Sequence, residues 1–481
     1  MQNFMKQDEN EHQHYFNRYG IDSAVIRQLF DIALSKGGDY ADIFFQHINS
    51  NHVGLEDNEV NRAYSNIALG VGIRVIKGDQ VGYSFTENLA LKSMKLAART
   101  AAQIADAARV AFPEKIDAIA VPQYYPIETA WEVVSIDRKI ALLNQVNEHI
   151  FSLDSRIIKA TLSFYDSSAY QLIATSEGVM KTDFQPMTGM RASCIAEQNG
   201  RRENHGYDYS TRDGIEFYTP ERLETLGRES VQRTLELFEA GKPEAGQMEV
   251  VLAAGSSGIL LHEAIGHGME ADFNRKKVSI YADKLNKRIA REFVSVVDDG
   301  TNPNMRGSIN FDDEGNPSQK TVLVENGILR SYMHDRISSR FYQVKPTGNG
   351  RRQSFRHAPV PRMRNTYMLP GPHKKDEIIA SVKNGIYAEN FTNGQVFIGA
   401  GDFTFYVKSG FMIEDGKLTR RIKDVNLIGN GPKVLEDVVM VGDDLEMAEG
   451  GWTCGKDGQG VPVSMGLPTV KVSSMTVGGM N

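Results

Sequence analysis

Along the first half of the chain, apolar residues recur at two spacings, one typical of helices and one typical of strands. From Asp22 to Ser35 the apolar positions fall at helical spacing, and Gly37-Gly38 ends that helix. Residues 41–48 and 67–85 are rich in β-branched and aromatic side chains, which predicts strands, and Lys77-Gly78-Asp79 turns the second run into a hairpin. The pattern therefore predicts a helix followed by an antiparallel sheet.

The same two spacings continue towards the middle of the chain. Residues 89–110 and 136–153 predict amphipathic helices, and the proline-containing residues 112–126 predict a linker between them. Residues 156–194 read as a meander of strands. Residues 219–240 predict a further helix, which opens with an N-cap threonine, a proline and an acid. Helices laid on one sheet make an α/β sandwich.

A glycine- and proline-containing run, Gly241 to Gly246, predicts a domain boundary. Beyond Glu249 the chain is strand-like and dense in glycine, apart from one short segment that resembles a helix. We therefore expect an α+β protein with a flexible tail over residues 1–21, an N-terminal α/β domain over residues 22–240 and a C-terminal β-rich domain over residues 247–481. A chain of 481 residues has room for two or three such units.

Composition narrows the classes of function. The 54 basic and 61 acidic side chains give a formal net charge of -7, and no long basic run is present to neutralise phosphates, so we expect no nucleic-acid partner. Only two cysteines occur, which favours a reducing compartment. The first twenty residues contain no apolar export region, and no window is apolar enough for a membrane span. We expect a cytoplasmic protein with no membrane association.

The helix-like segment of the second half carries the candidate chemistry, ILLHEAIGHGMEADF. Zinc peptidases usually space two histidines by four residues, so that both rings leave one face of a helix. Here His262 and His267 are five apart, and on a straight α-helix their rings would diverge by roughly 140°. A π-bulge would bring them together, and Gly266 and Gly268 lower the cost of that distortion. We predict a bulge or break between Glu263 and Gly268.

Two histidines do not complete a catalytic zinc site, which typically takes three protein ligands and one water. The candidates for a third ligand are Glu270, Asp272 and, far along the chain, Cys454 in the glycine-rich run EGGWTCGKDGQG. A lone cysteine is more often a small buried hydrophobe than a ligand. Spacing alone does not choose among these three residues, and the histidine string by itself also arises by chance.

Several strings of the chain resemble the TldD/PmbA metallopeptidase family, and in particular its catalytic TldD branch. They are LLHEAIGHGMEADFNRK, VVDDGT, RGSINFDDEG, PTGNGRRQS, NTYMLPG and GDDLEMAEGGWTCGKDGQGVPVSMGLPTVKVSSMTVGG. The likeness runs from about Asp22 to the C-terminus and is densest over the last 230 residues or so. The intact histidine motif distinguishes the chain from the PmbA-like branch, which lacks it.

The resemblance implies a zinc ion held by His262, His267 and Cys454, with Glu263 as the general base that activates water. It also implies a C-terminal antiparallel β domain of barrel-like form, which carries the short metal-binding helix. The implied activity is hydrolysis of peptide bonds in unfolded or flexible peptides. The implied partner is a PmbA-like subunit, also called TldE, in a heterodimer, with a homodimer as the alternative.

Two other functions remain open at this point. The family also carries a gyrase-modulator label, so the chain could be a non-enzymatic regulator that acts on DNA gyrase, although the acidic balance and the complete histidine motif weigh against this. A metal enzyme that hydrolyses a non-peptide amide is the second alternative.

Two further motifs invite a functional interpretation. Arg351 and Arg352 could hold a peptide carboxylate, but a structural glycine turn with solvated arginines is the favoured interpretation. Residues 298–299 and 312–314 are acidic and could bind a second cation. Acids that form turns before Gly300 and Gly315 are the favoured interpretation there.

Overall fold

The computed structural model describes residues 14–113 and 115–479, and the first half of the chain is built on one sheet of seven strands. Its strand order is β3-β2-β1-β5-β6, and both β7 and the short β4 pair with β6. All of these pairs are antiparallel except that between β4 and β6. The strands are β1 (Tyr40–Glu56), β2 (Glu59–Lys77), β3 (Gln80–Thr86), β4 (Asp117–Ala118), β5 (Ile157–Thr175), β6 (Val179–Gln198) and β7 (Arg201–Thr211).

Four helices cover one face of this sheet, as the sequence predicts for a sandwich. They are α1 (Ser23–Ala33), α2 (Leu91–Ala102), α3 (Ile136–Leu153) and α4 (Pro220–Glu236). The first two pack over one end of the long strands and the second two over the other end. Asp22 and Thr219 cap their helices by accepting hydrogen bonds from the backbone of Val25 (2.8 Å) and Arg222 (3.4 Å).

The second helix is shorter than the alanine-rich pattern predicts, because it ends at Ala102 rather than near Val110. After the helix, the backbone N–H of Ala107 donates to the carbonyl of Lys36, and that of Val110 donates to the carbonyl of Leu34. These tertiary hydrogen bonds replace the helical ones that residues 103–110 would have made. Helix propensity is a weak preference, and packing against the end of α1 overrides it here.

The prediction of a flexible tail over residues 1–21 is wrong for the last of these residues. Tyr15 and Phe16 lie in a turn of 3-10 helix and are buried. The ring of Tyr15 stacks on Tyr170 with centroids 3.6 Å apart, and its hydroxyl lies 2.6 Å from Nδ1 of His47. Large aromatic rings gain enough from burial to order a terminal segment. Residues 1–13 lie outside the described part of the chain.

The buried ring of Phe16 gives a first testable prediction. Phe16→Ala is expected to lower the free energy of unfolding by about 3 kcal/mol, because the change removes a ring that is 1% exposed and leaves a cavity. Urea denaturation followed by circular dichroism measures this. Phe341→Ala, at a ring that is 55% exposed, is the control and is expected to change little. Equal effects of the two changes would contradict the packed position of residue 16.

The second half of the chain contains the predicted β-rich unit, with several short helices inserted between strands. The strands are β8 (Gly246–Leu252), β9 (Val296–Asp299), β10 (Lys320–Glu325), β11 (Ile328–Leu329), β12 (Gly350–Arg351), β13 (Val360–Pro361), β14 (Asn365–Met368), β15 (Asn384–Phe397), β16 (Asp402–Glu414), β17 (Lys417–Asn430), β18 (Val438–Val441), β19 (Glu446–Met447), β20 (Thr453–Lys456), β21 (Gln459–Pro462), β22 (Ser464–Leu467) and β23 (Val470–Gly479). The helices are α5 (Ile259–Leu261), α6 (Ala271–Arg275), α7 (Arg336–Tyr342), α8 (Lys375–Ala380) and α9 (Gly431–Glu436).

Five of these strands close into a barrel, which confirms the expected barrel-like form. The order is β17-β16-β15-β8-β23, and pairing of β23 with β17 closes the ring. The neighbours are antiparallel apart from β8 and β15, which are parallel. Beside the barrel lies a second sheet in the order β11-β10-β9-β14-β22-β19. One continuous core joins the barrel interior, this second sheet and the histidine segment.

The uncovered face of the N-terminal sheet packs against the second half of the chain. Phe44 and Ile173 of the sheet contact Phe311 and Phe355. Beside this apolar contact, Arg74 pairs with Asp42 at 2.5 Å and with Glu314 at 2.7 Å, and all three side chains are fully buried. The two halves are therefore joined by a buried interface that contains both apolar and ionic contacts.

Arg352 lies in this interface and Arg351 precedes it in the chain, and the expectation of solvated arginines is wrong for both. Arg351 and Arg352 are 3% and 5% exposed. The guanidinium group of Arg351 donates to the carbonyls of Met363 and Pro462, at 2.6 and 2.8 Å. That of Arg352 donates to the Asp42 carboxylate at 3.1 Å. Both guanidinium groups already donate hydrogen bonds inside the protein, so neither is free to bind a peptide carboxylate.

Asp299 and Asp312 form local turns, as the turn interpretation expects, whereas the other acids of the two runs, Asp298, Asp313 and Glu314, accept hydrogen bonds from the distant backbone N–H groups of Arg364, Arg352 and Arg336. Asp312 accepts hydrogen bonds from the backbone N–H groups of Glu314 and Asn316, at 3.0 and 2.8 Å. Asp299 accepts one from the backbone of Thr301 at 2.9 Å.

Over residues 14–113 and 115–479, no helix combines the length and apolar character that crossing a membrane requires.

Candidate metal centre

The histidine segment connects the barrel to the second sheet. The chain leaves β8, turns at Gly255 in the left-handed region (φ 87°), and passes through a 3-10 turn into α5. Directly after α5, residues His262–Gly266 form one π-helical turn, and residues His267–Met269 form a 3-10 turn. The predicted bulge between Glu263 and Gly268 is therefore present.

The wide turn brings the two imidazoles together despite their spacing of five. Their ring centroids are 5.1 Å apart and their planes cross at 87°. The two glycines of the segment are explained by packing as well as by backbone freedom. A side chain at Gly266 would overlap the sulfur of Met363, and one at Gly268 would overlap the ring of Tyr281. Only glycine lets this turn lie so deep in the core.

Among the three candidate third ligands, Cys454 is the residue that joins both histidines in one cluster. It lies on β20, and the β20–β21 hairpin turns at Asp457-Gly458, both with positive φ. Its sulfur lies 3.4 Å from Nε2 of His267. One ligand atom each from His262, His267 and Cys454 lie within 4.8 Å of one another, and all three residues are buried. These atoms could share one metal ion.

Glu270 and Asp272 lie behind the cluster instead of completing it. The carboxylate of Glu270 accepts from Nδ1 of His267 at 3.1 Å, so that Nε2 points to the thiol. The ammonium group of Lys456 lies 3.1 Å from Glu270 and 2.7 Å from Asp272. A carboxylate behind a metal-binding histidine fixes the ring orientation and raises the basicity of the ligand.

Lys456 and Arg362 were not singled out by the sequence, yet both hold the cluster in place. Lys456 is two residues after Cys454 on the same strand, so both side chains point inward. Arg362 donates to the carbonyl of Cys454 at 2.5 Å and lies 4.0 Å from Glu270. The alternation of Cys454 and Lys456 was the available signal for the lysine. No local signal identifies Arg362.

The charges around the cluster favour the deprotonated, negatively charged forms of Cys454 and Glu270. Burial alone would raise the pKa of the Cys454 thiol, but the two neighbouring histidines hold it well below its usual value. Burial would also raise the pKa of Glu270, but Lys456, His267 and Arg362 lower it to about 2. Cys454 therefore lies in a setting that stabilises a thiolate, the form that binds metals.

The cluster and the charged side chains around it contain more acidic than basic groups, which suits a divalent cation. Its acids are Glu263, Glu270, Asp272 and the Cys454 thiol, and its bases other than the imidazoles are Lys456 and Arg362. In addition, Nδ1 of His262 is buried with no hydrogen-bond partner among the described residues. A buried polar atom of this kind needs a partner, and a metal ion is one.

Metal binding at this cluster is expected to displace a proton. Burial alone would lower the pKa of His267, but Glu270 and Cys454 raise it well above its usual value. The raised pKa favours a proton on His267 that must leave before the imidazole binds zinc, so the apparent affinity for zinc should fall by up to about tenfold for each pH unit of acidification. Calorimetric titration of metal-free protein with zinc, in buffers of different ionisation enthalpy, measures the released proton. An affinity that does not change with pH would contradict this assignment.

Glu263 is oriented differently from the three buried residues. Its side chain is only partly buried, and burial raises the pKa of its carboxyl group. It lies beside β15, where a side chain added at Gly394 would touch it. A carboxylate with a raised pKa beside a candidate metal site is a stronger base than an ordinary glutamate, which suits it to proton transfer.

A cavity of about 1090 Å³ lies between the two halves of the chain. The three clustered residues do not line it themselves, but Ser256 and Trp452, which lie close to them in sequence, do. Its other walls come from β7, α4 and β15, and include Tyr207, Asp208 and Glu389. The lining is polar and carries charges of both signs, so it is unlike an apolar pocket for a small ligand.

Comparison with family models matches three parts of the chain to one family. Residues 41–105 match the PmbA/TldA metallopeptidase domain 1, residues 130–238 its central domain and residues 245–479 its C-terminal domain. The last two matches are separated by residues 239–244, which include most of the run at 241–246, and we propose that the chain divides at this run.

Relatives of known name point in the same direction. The chain is 37% identical to the metalloprotease TldD homolog of Haemophilus influenzae, over 96% of this chain and 97% of that protein. It is 28% identical to the zinc metalloprotease TldD homolog of Saccharolobus solfataricus, over 92% and 97% of the two chains. Among solved structures, TldE from Thermococcus kodakarensis superimposes with a TM-score of 0.74 at 18% identity, over 95% and 100% of the two chains. The last likeness shows a shared fold.

Proposed function

This chain belongs to the TldD/PmbA family of metallopeptidases, and from that premise we propose that it is a zinc-dependent peptidase for flexible or unfolded polypeptides. The observation that supports this most directly is the cluster of two imidazoles and a thiol beside a partly exposed glutamate. Two nitrogen donors and one sulfur donor suit zinc, and three protein ligands are the number that a catalytic zinc site uses.

In this proposal His262, His267 and Cys454 hold the zinc. Zinc bound there supplies Lewis acidity, which acidifies water and polarises a peptide carbonyl. Glu270 holds the imidazole of His267 in the tautomer that presents Nε2. The buried pocket lowers the local dielectric and so strengthens each of these electrostatic interactions.

Glu263 is the proposed general base. It adjoins His262 in the chain, and its raised pKa lets it take a proton from the attacking water and return it to the leaving amine. Its partial exposure leaves the carboxylate accessible to a substrate. The remaining acids of the cluster are paired with Lys456 and are not free for this task.

The substrate is proposed to bind as an added strand on β15. Pairing of β15 with β8 ends at Ala388, whereas β15 continues to Phe397 and pairs there only with β16 among the described strands. This unpaired edge runs past Glu263. A peptide that pairs with it is read through its backbone, which gives weak sequence preference and requires an unfolded segment.

We further propose a partner of similar fold, a TldE-like subunit, in a heterodimer. The support is the common fold of this chain and the Thermococcus TldE. Size-exclusion chromatography with light scattering, on the chain alone and mixed with such a subunit, distinguishes a heterodimer from a homodimer.

The proposed activity is tested with one polypeptide in two states. The purified chain, with and without a TldE-like subunit, is mixed with an unfolded polypeptide, the same polypeptide folded, and small non-peptide amides. We expect cleavage of the unfolded form alone, loss of cleavage after chelation, and recovery on addition of zinc. Hydrolysis confined to the small amides would replace the peptidase assignment. A gyrase effect without any hydrolysis would favour a regulator instead.

A further inference from the structure

The segment that leads into Cys454 is attached to the N-terminal sheet. The backbone N–H of Ser210, on β7, donates to the carbonyl of Glu449 at 2.8 Å. The backbone N–H of Gly451 donates to the Asp208 carboxylate at 2.7 Å. The hydroxyl of Tyr207 donates to the Glu449 carboxylate. Strand β7 therefore holds this segment by both backbone and side-chain hydrogen bonds.

Arg306 makes a second and more direct connection. On one side, its Nε donates to the carbonyl of Trp452 at 3.0 Å, and its Nη2 donates to the hydroxyl of Thr453 at 3.1 Å. On the other side, its Nη1 donates to the hydroxyls of Tyr165 and Ser210, at 2.6 and 2.7 Å. One guanidinium group thus links strands β5 and β7 to the two residues that precede Cys454.

The backbone around Arg306 is itself fixed to the end of β7. The side chain of Arg212 donates to the carbonyl of Arg306 at 3.2 Å. The backbone N–H of Arg212 and the hydroxyl of Thr211 both donate to the carbonyl of Asn304, at 2.9 and 2.8 Å. The backbone of Arg306 is therefore held in place by the end of β7, and its side chain connects the sheet to the cysteine segment.

The other contacts of this segment come from the second half of the chain, where the backbone N–H of Val463 donates to the carbonyl of Trp452 at 3.2 Å and Thr453 pairs with Pro462. Gly450 and Gly451 interrupt the segment, and glycine loses more backbone freedom than any other residue when a segment is ordered. The contacts from Arg362 and Lys456 act on Cys454 itself and on the chain after it. The residues that precede Cys454 are thus held by both halves of the molecule, whereas Arg362 and Lys456 hold Cys454 and the chain after it from the second half alone.

We propose that Arg306 is a positioning residue through which the N-terminal sheet holds Cys454 against the two histidines. The inference deepens the proposed function, because it states what keeps that site assembled. The consequence is that the thiol leaves the cluster when the contact between sheet and segment is lost. Tyr207, Asp208 and Trp452 also line the cavity, so a peptide lying there would touch the same connection.

The first test measures the position of the thiol without any metal. Cys194→Ala leaves Cys454 as the only thiol, because the chain has two cysteines. In that background, metal-free Arg306→Gln is expected to react with a thiol reagent about tenfold faster than its parent, and Arg306→Lys, which keeps the charge with fewer donors, is expected to fall between them. Arg356→Gln is the matched control. Its arginine also joins the second half to the first, through Glu87 at 2.7 Å, and among the described residues it makes no hydrogen bond to the cysteine segment.

The second test measures zinc affinity by competition with a chelator in the same variants. We expect about tenfold weaker binding in Arg306→Gln and unchanged binding in Arg356→Gln. If Arg306→Gln does not fold, Tyr165→Phe takes its place, because it removes one acceptor of the guanidinium group. It is expected to raise thiol reactivity and weaken zinc binding by a smaller factor than Arg306→Gln. Equal thiol reactivity in Arg306→Gln and parent, or equal acceleration by Arg356→Gln, would overturn the inference. A parent that binds no zinc would overturn the proposed function alone, since the thiol measurement does not depend on metal.

Discussion

Replacement of Glu263 by glutamine is expected to lower kcat by about a thousandfold while the protein keeps its zinc. The size of the loss is that of a positioned general base, and glutamine fills the same space but cannot take a proton. Because Glu263 is not one of the three clustered ligands, the metal should stay. Steady-state hydrolysis of an unfolded polypeptide and elemental analysis of the same sample measure the two quantities.

Glu249→Gln is the matched control for this variant. Glu249 pairs with Lys471 at 2.6 Å, and both lie on strands of the barrel wall, β8 and β23, rather than on the histidine segment. It should retain full activity. Loss of zinc in Glu263→Gln would show that Glu263 is a ligand instead of a base, and retention of both zinc and activity would remove it from the reaction altogether.

Replacement of Cys454 by alanine is expected to weaken zinc binding by more than about a hundredfold. Loss of a direct ligand should exceed the loss of an outer partner, for which ten- to about a hundredfold is typical. The remaining histidines provide two ligands, which is too few for a stable protein site. Chelator competition on the purified proteins measures the affinity, and the activity should fall with the bound zinc.

The second cysteine of the chain is the natural control for this variant. Cys194 is fully buried on β6, opposite His205, and burial raises the pKa of its thiol to about 12. Cys194→Ala removes a thiol of the same chemistry from the other half of the molecule, so zinc binding should not change. Undiminished zinc binding in Cys454→Ala would return Glu270 and Asp272 to consideration as ligands.

The sequence predicted the elements of the N-terminal half well wherever one face is regularly apolar. The helix over residues 136–153 has the predicted bounds. The strand β2 was predicted too short because residues 59–67 are exposed along both faces and so lack the alternation that marks a half-buried strand. The strand β1 was also predicted too short, and its continuation begins with the polar, half-buried residues 49–52. Asn199-Gly200, with φ of 53° and 76°, forms a tight hairpin turn between β6 and β7, and this pair of residues is a readable hairpin signal.

The candidate site was predictable in part. The histidine spacing required a widened turn, and that turn is present. The spacing could not choose Cys454, because the cysteine is brought to the histidines only by the tertiary fold, 187 residues along the chain from His267. The family likeness supplied that choice. Burial of the arginine pair was not predictable for the same reason, since Arg352 finds Asp42 at a separation of 310 residues.

The β20–β21 hairpin also limits how this protein can change during evolution. Cys454 and Lys456 point inward while Thr453 and Gly455 point outward. An insertion or deletion of one residue between the cysteine and the lysine would turn one of them to the solvent, because side chains alternate along a strand. The spacing between the Cys454 thiol and the Lys456 ammonium group, which pairs with the neighbouring carboxylates of Glu270 and Asp272, is therefore expected to stay fixed. We expect substitutions to accumulate at the outward Gly455, where an added side chain would meet no other atom, and relatives that lose the cysteine to lose the buried lysine as well.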